Sequence, residues 1–168
     1  MTDVAFQVEE KIAEIVSRLK QFLAAQHREK PLVMGIHTGG IWIAERLRRG
    51  LEIAEPLGHL NIAFYRDDFS RIGMHPRVTP SILPYAVEGR HIILVDDVLY
   101  TGRTVRAAMN EIFDYGRPAS VSLAVLIDRG GHELPVQADV VGSTLLLKAG
   151  EHVKLLGPEP LVLEIRRS

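Results

Sequence analysis

The chain of 168 residues contains no cysteine, which excludes disulfides and thiolate metal sites. An excess of charge of one sign is missing too. The formal net charge is -1, so no global basic field advertises nucleic acid, and any RNA or DNA role must rest on a local patch. The N-terminus alternates charged with apolar residues and holds no long apolar run, so it reads as neither a signal peptide nor a membrane span; a cytoplasmic protein with no membrane association is expected. The seven histidines show no pairing at metal-ligand spacing and read as surface or polar-core residues. Neither GxxxxGK[ST] nor GxGxxG occurs, which counts against purine nucleotide hydrolysis and dinucleotide binding. The length suits a single domain over residues 1–168.

What is present is an alternation of helical and strand patterns. Val8, Ile12, Ile15, Leu19 and Phe22 recur at steps of four and three, the stripe of an amphipathic helix whose charged face is solvated. The apolar run 31–36 predicts a buried strand, followed by a polar turn through Thr38, Gly39 and Gly40. A second helix over 41–50 is placed to end on Gly50 as a left-handed cap, with Trp42 packing on its first turn. Residues 59–65 alternate as a strand. Residues 91–95 have the unbroken apolar character of a central parallel strand. A helix from about Arg103 to Tyr115 and a buried strand over 120–128 follow. This order predicts an α/β fold, a Rossmann-like open parallel sheet with helices on both faces. The tail from Gly142, with Pro158 and Pro160, is expected to supply a short cap with edge strands.

The chemistry concentrates after the central strand. Asp96 and Asp97 fall at its carboxyl end, where ligands bind in open α/β sheets. The turn Val98, Leu99, Tyr100, Thr101, Gly102, Arg103, Thr104 then leads into a helix, whose unpaired amides and dipole favour a phosphate. Gly102 lets the backbone close on the anion, and the threonine hydroxyls add donors. Carboxylates repel phosphate, but they suit ribose hydroxyls or a magnesium ion bridging a sugar and its pyrophosphate. Acids beside a phosphate cup therefore read as a site for a phosphorylated sugar. A strand-to-helix turn with an ordinary cap would not require two aspartates at a buried edge.

The string ILVDDVLYTGRTV resembles the signature loop for 5-phosphoribosyl 1-diphosphate (PRPP) in type I phosphoribosyltransferases. Together with GIHTGGIWIAERL, FYRDDFS, GRPAS and AVLIDRGGHELP it is similar to the PyrR family, which pairs uracil phosphoribosyltransferase activity with regulation of pyrimidine genes. The resemblance implies a type I phosphoribosyltransferase fold with a small hood and a flexible lid loop. It implies that Thr38 and Gly39, beside Gly40, contact the pyrophosphate, and that Arg129 lies near the nucleotide with the hood following it. Many relatives read TRG where this chain has Thr38, Gly39 and Gly40, so backbone amides do the work of a missing arginine. Arg66 is either a compensating cation or an ion-pair partner of Asp67 or Asp68. The long connection after Asp68 carries Arg71 and Arg77, which would neutralise the departing pyrophosphate when a lid closes. The implied reaction displaces pyrophosphate from C1 of PRPP by N1 of uracil, giving UMP, with Mg2+ at Asp96 and Asp97 and a catalytic set of Asp96, Asp97, Arg71 and Arg77. No covalent catalyst is needed.

RNA-binding relatives carry a basic face on the first helix and after the DRG segment. Here His132, Gln137 and Ser143 stand where arginine or lysine would serve, and Lys11, Arg18 and Lys20 are interspersed with Glu9, Glu10 and Glu14. The reading is an enzyme with RNA attenuation weakened or lost, regulation by another route staying open. The competing reading is a nucleotide-sensing regulator of pyrimidine gene expression that binds RNA with little catalysis. A homo-oligomer, dimer or tetramer, is expected, with the first helix and the tail as its candidate interface.

Overall fold

The computed structural model describes residues 7–62 and 81–168. Arg66, Arg71 and Arg77, with the lid assigned to their connection, lie outside the described residues. The elements run α1 (Val8–Ala25), β1 (Leu32–Ile36), α2 (Gly39–Gly50), β2 (Gly58–Leu60), β3 (His91–Leu99), α3 (Arg103–Tyr115), β4 (Ser120–Asp128), β5 (Val140–Thr144), β6 (Glu151–Leu156) and β7 (Val162–Arg167). Five strands form one sheet in the order β2-β1-β3-β4-β5, and every neighbouring pair is parallel.

The unbroken apolar run of β3 has a direct cause. Successive residues of a strand point to opposite faces, and here both faces are covered. Ile93 and Val95 pack with Ile15 and Leu19 of α1 and with Ile43 and Leu47 of α2, whereas Ile92 and Leu94 pack with Val105, Ala108 and Ile112 of α3. The open parallel sheet with helices on both faces is thus the fold observed.

Several boundaries differ from the sequence reading. The buried stripe of α1 is Val8, Ile12, Ile15, Leu19 and Leu23, so Phe22 sits at its margin; its ring lies beneath the guanidinium of Arg28, at 5.2 Å. Helix α2 starts two residues early, at Gly39, and Gly50 is not its left-handed cap. Gly50 remains helical, Leu51 closes the helix, and the left-handed residue is Glu52, with φ 55°. A Cβ at Gly50 would meet Val16 of α1 at 2.7 Å, so this glycine serves helix packing. Strand β3 continues through the aspartates to Leu99, four residues beyond the apolar run. The tail divides: β5 is an edge strand of the main sheet, while β6 and β7 form a separate antiparallel hairpin. Leu155, Leu161 and Leu163 seat that hairpin on the core beneath α1 and α2, and Trp42 packs there as anticipated.

Candidate functional site

The sheet order reverses between β1 and β3, since β1 leads outward to β2 while β3 leads the other way to β4. Crevices for ligands open at the carboxyl ends of strands flanking such a switch point. Both predicted loops lie there, one after β1 and the other after β3.

After β1, His37 and Thr38 form the turn, and their peptide bond is cis. Thr38 Oγ1 lies 2.8 Å from His37 Nδ1. Gly39 and Gly40 then open α2, so their amides belong to the unpaired first turn of a helix. This end of α2 rests directly on the aspartates. A Cβ on Gly40 would come within 2.7 Å of the Val95 carbonyl and 3.3 Å of Asp96 Oδ1. A Cβ on Gly39 would overlap the Asp97 carboxylate, reaching 2.8 Å from its Cγ. In this chain a larger residue at 39 requires Asp97 to move. The positive end of the α2 dipole also faces both carboxylates, which offsets the burial of Asp96, only 6% exposed.

The aspartates are held by their own strand. Asp96 Oδ1 accepts from the Asp97 amide at 2.9 Å, and Asp97 Oδ1 accepts from the Val98 amide at 2.8 Å. Val98 packs against the core under α1 and α2, and Leu99 is buried under α3, so neither presents its side chain to a ligand. Tyr100 begins the turn proper. Thr101 Oγ1 accepts from the Arg103 amide at 3.2 Å, and Gly102, at φ 94°, takes the left-handed conformation that starts α3. The Arg106 amide bonds back to the Gly102 carbonyl at 3.0 Å, leaving the amides of Thr104 and Val105 without an intrahelical partner.

The segment between β4 and β5 crosses over this turn. The amides of Glu133 and Leu134 both donate to the Thr101 carbonyl, at 2.9 and 3.1 Å, and Val136 lies over Gly102. Glu133 also meets Arg103, at 3.3 Å. The segment expected to form the hood is thus tied to the turn that opens α3. Arg129, the first residue after β4, donates its amide to the Leu99 carbonyl at 3.1 Å and stacks on Tyr100, its Cζ 3.9 Å from the ring centroid. The neighbouring Asp128 accepts from the Gly130 amide and meets His132 Nε2, each at 2.9 Å. The structure therefore brings Thr38, Gly39, Gly40, Asp96, Asp97, Tyr100 to Thr104 and Arg129 to one edge of the sheet. The contact of Gly39 with Asp97 and the stack of Arg129 on Tyr100 were not foreseen. Each joins residues far apart in the chain, and no local pattern marks it.

Residues 6–158 match the phosphoribosyl transferase domain family. The chain is 61% identical over 165 residues to the bifunctional protein PyrR of Nitrosococcus oceani, covering 97% of this chain and 93% of that one. It is 56% identical over 155 residues to the bifunctional protein PyrR of Pseudomonas aeruginosa, covering 92% of this chain and 91% of that one. Among solved structures, the hypoxanthine phosphoribosyltransferase of Trypanosoma cruzi superposes with a TM-score of 0.62 at 22% identity, over 82% of this chain and 77% of its own. A hypoxanthine-guanine phosphoribosyltransferase of Bacillus anthracis gives 0.65 at 17% identity, over 83% and 80%. These structural likenesses speak for the fold.

Proposed function

The chain belongs to the PyrR family within the type I phosphoribosyltransferases, and from that premise we propose that it converts uracil and PRPP to UMP and pyrophosphate. The observation that carries this reading is the meeting of two carboxylates with two helix N-termini at the switch point of the sheet. The first turn of α3, with Thr101 and Thr104, suits the 5-phosphate of PRPP. Asp96 and Asp97 accept from the ribose hydroxyls. The amides of Gly39 and Gly40, beside Thr38, face the pyrophosphate, and the hood after Arg129 lies over the base.

Two carboxylates fit magnesium. Among the described residues no group of three or more His, Cys, Asp and Glu could hold a metal, and Mg2+ binds through one or two carboxylates, retained waters and substrate phosphates. Asp96 and Asp97 would hold it, and its chemistry there is to neutralise charge gathering on the pyrophosphate. The protein's own task is alignment of N1 of uracil with C1 of the ribose, with fixed dipoles ready for the charges that develop. Arg71 and Arg77 would complete the neutralisation from their connection.

Regulation of pyrimidine genes is the second activity of such a protein, and we infer that it does not run through tight RNA binding. Lys11 is paired with Glu14, and Arg18 is spent on the Val141 carbonyl at 2.6 Å and on Glu14. These helix α1 cations are already engaged within the chain. A base panel with Mg2+ and PRPP tests the enzymatic proposal: uracil should give UMP with an equal amount of pyrophosphate, and hypoxanthine none. Nucleotide formed from a purine base, or none from any base, would overturn it.

A further inference from the structure

Arg129 carries a guanidinium whose Nε is buried and has no hydrogen-bond partner among the described residues. A guanidinium can only donate, and a buried donor left unpaired costs about 1–3 kcal/mol, so such a group is retained where a ligand supplies the acceptor. Nearby acids do not serve it. Asp128 spends its Oδ1 on the Gly130 amide and His132, and Glu133 pairs with Arg103. The side chain is instead held by packing, its Cζ stacked 3.9 Å over the Tyr100 ring. Tyr100 is gripped from the hood, because a Cβ on Gly131 would strike its Cε2 at 2.8 Å. The Arg129 amide is pinned to the Leu99 carbonyl. Ring and guanidinium therefore stack on each other between the turn that opens α3 and the segment after β4.

We propose that Tyr100 is a positioning residue, and that it holds Arg129 so that Nε–H donates to a carbonyl oxygen of the incoming pyrimidine. This rests on the uracil reading above. The location selects the base over the phosphate: the 5-phosphate has the amides of α3, while the stacked pair stands where the hood closes over the turn. A donor-only group also discriminates chemically, since an amino group in place of a ring carbonyl leaves Arg129 facing another donor.

Steady-state kinetics on the full chain with Mg2+, PRPP and uracil test the proposal. Tyr100→Leu should raise KM for uracil roughly tenfold, the scale of a lost cation–π contact, and change KM for PRPP less than about twofold. Tyr100→Phe, which keeps the ring face, should recover most of that loss. In an Arg129→Gln background, Tyr100→Leu should add little, because the residue it positions is gone. Thermal melting of each variant reports folding, and the Phe and Gln arms stand if the Leu variant unfolds. A rise confined to KM for PRPP, or equal losses from Tyr100→Leu in both backgrounds, would overturn the inference while leaving the uracil reading intact. No UMP from the unaltered protein would fell both.

Discussion

Gly39 and Asp97 lie so close that neither can be understood alone. The sequence shows Asp97 as half of an acidic pair and Gly39 as a departure from a familiar loop; the structure shows that the carboxylate fills the space a side chain at 39 would need. Gly39→Ala should therefore lower kcat/KM for PRPP by displacing Asp97, and combining it with Asp97→Ala should give less than the summed loss. A coupling of about 0.5–3 kcal/mol is the range for residues in contact. Strictly additive losses in a double-mutant cycle would count against the contact. The acids and the turn were legible because their chemistry is local and unusual: carboxylates at a strand end, then small residues before a helix. The Arg129 stack on Tyr100 was not, since it depends on β3 and β4 lying side by side, with Leu99 paired to Asp128.

Among the elements, α3 was read to its ends, because Gly102 and Gly116 bracket an apolar stripe that no other pattern fits. Gly102→Ala places a Cβ on a residue at φ 94° and 3.2 Å from Val136. Stability should fall by roughly 1–2 kcal/mol, the scale of the left-handed penalty, and urea titration measures it. Helix α2 was read less well. Its start at Gly39 and its continuation through Gly50 answer to Asp97 and Val16, which are tertiary neighbours. Within α2, Glu45 receives a two-pronged contact from Arg48, at 2.7 and 3.0 Å, and a third bond from Arg49. The Arg48 hydrogen bonds, outweighing partial burial, hold its carboxyl below the ordinary 4.5. A depressed folded-state value adds stability above the unfolded value and loses it as pH falls through the folded one. Glu45→Gln should thus lower stability by about 0.5–1 kcal/mol at neutral pH. The gap in Tm between the two proteins should close as pH falls below 4.5. A gap unchanged down to strongly acid pH would contradict the assignment.

For the whole molecule, the layered parallel sheet was legible because runs such as His91 to Val95 must be covered on both faces. The hood was expected only from the family resemblance, since residues between β4 and β5 carry no apolar period and are tied down by bonds to the Thr101 carbonyl. The tail was half legible: its strands were foreseen, but not that β6 and β7 form a hairpin apart from the main sheet, with Gly157 against Trp42. The described residues contain no helix long and apolar enough to cross a membrane. The pairing of Lys11 and Arg18 within the chain predicts weak binding of pyrimidine-leader RNA, with a shallow salt dependence in a filter-binding titration; tight binding with a steep slope would contradict that reading. At the same scale, we propose that the protein works as a dimer or tetramer; the apolar stripe of α1 is buried against the sheet, so the contact falls to the β6–β7 hairpin, where Val162 and Ile165 are exposed.

Conversion of labelled uracil to UMP by the unaltered protein and by Asp97→Asn, at saturating Mg2+ and PRPP, tests most directly whether the aspartates and the turn after them form a phosphoribosyl-transfer site. The account predicts UMP and pyrophosphate in equal amounts from the unaltered protein. It predicts a loss of at least about 100-fold in the variant, the scale of a preorganised electrostatic group at a transition state, with Tm little changed. No UMP from the unaltered protein, or full activity in Asp97→Asn, would contradict it.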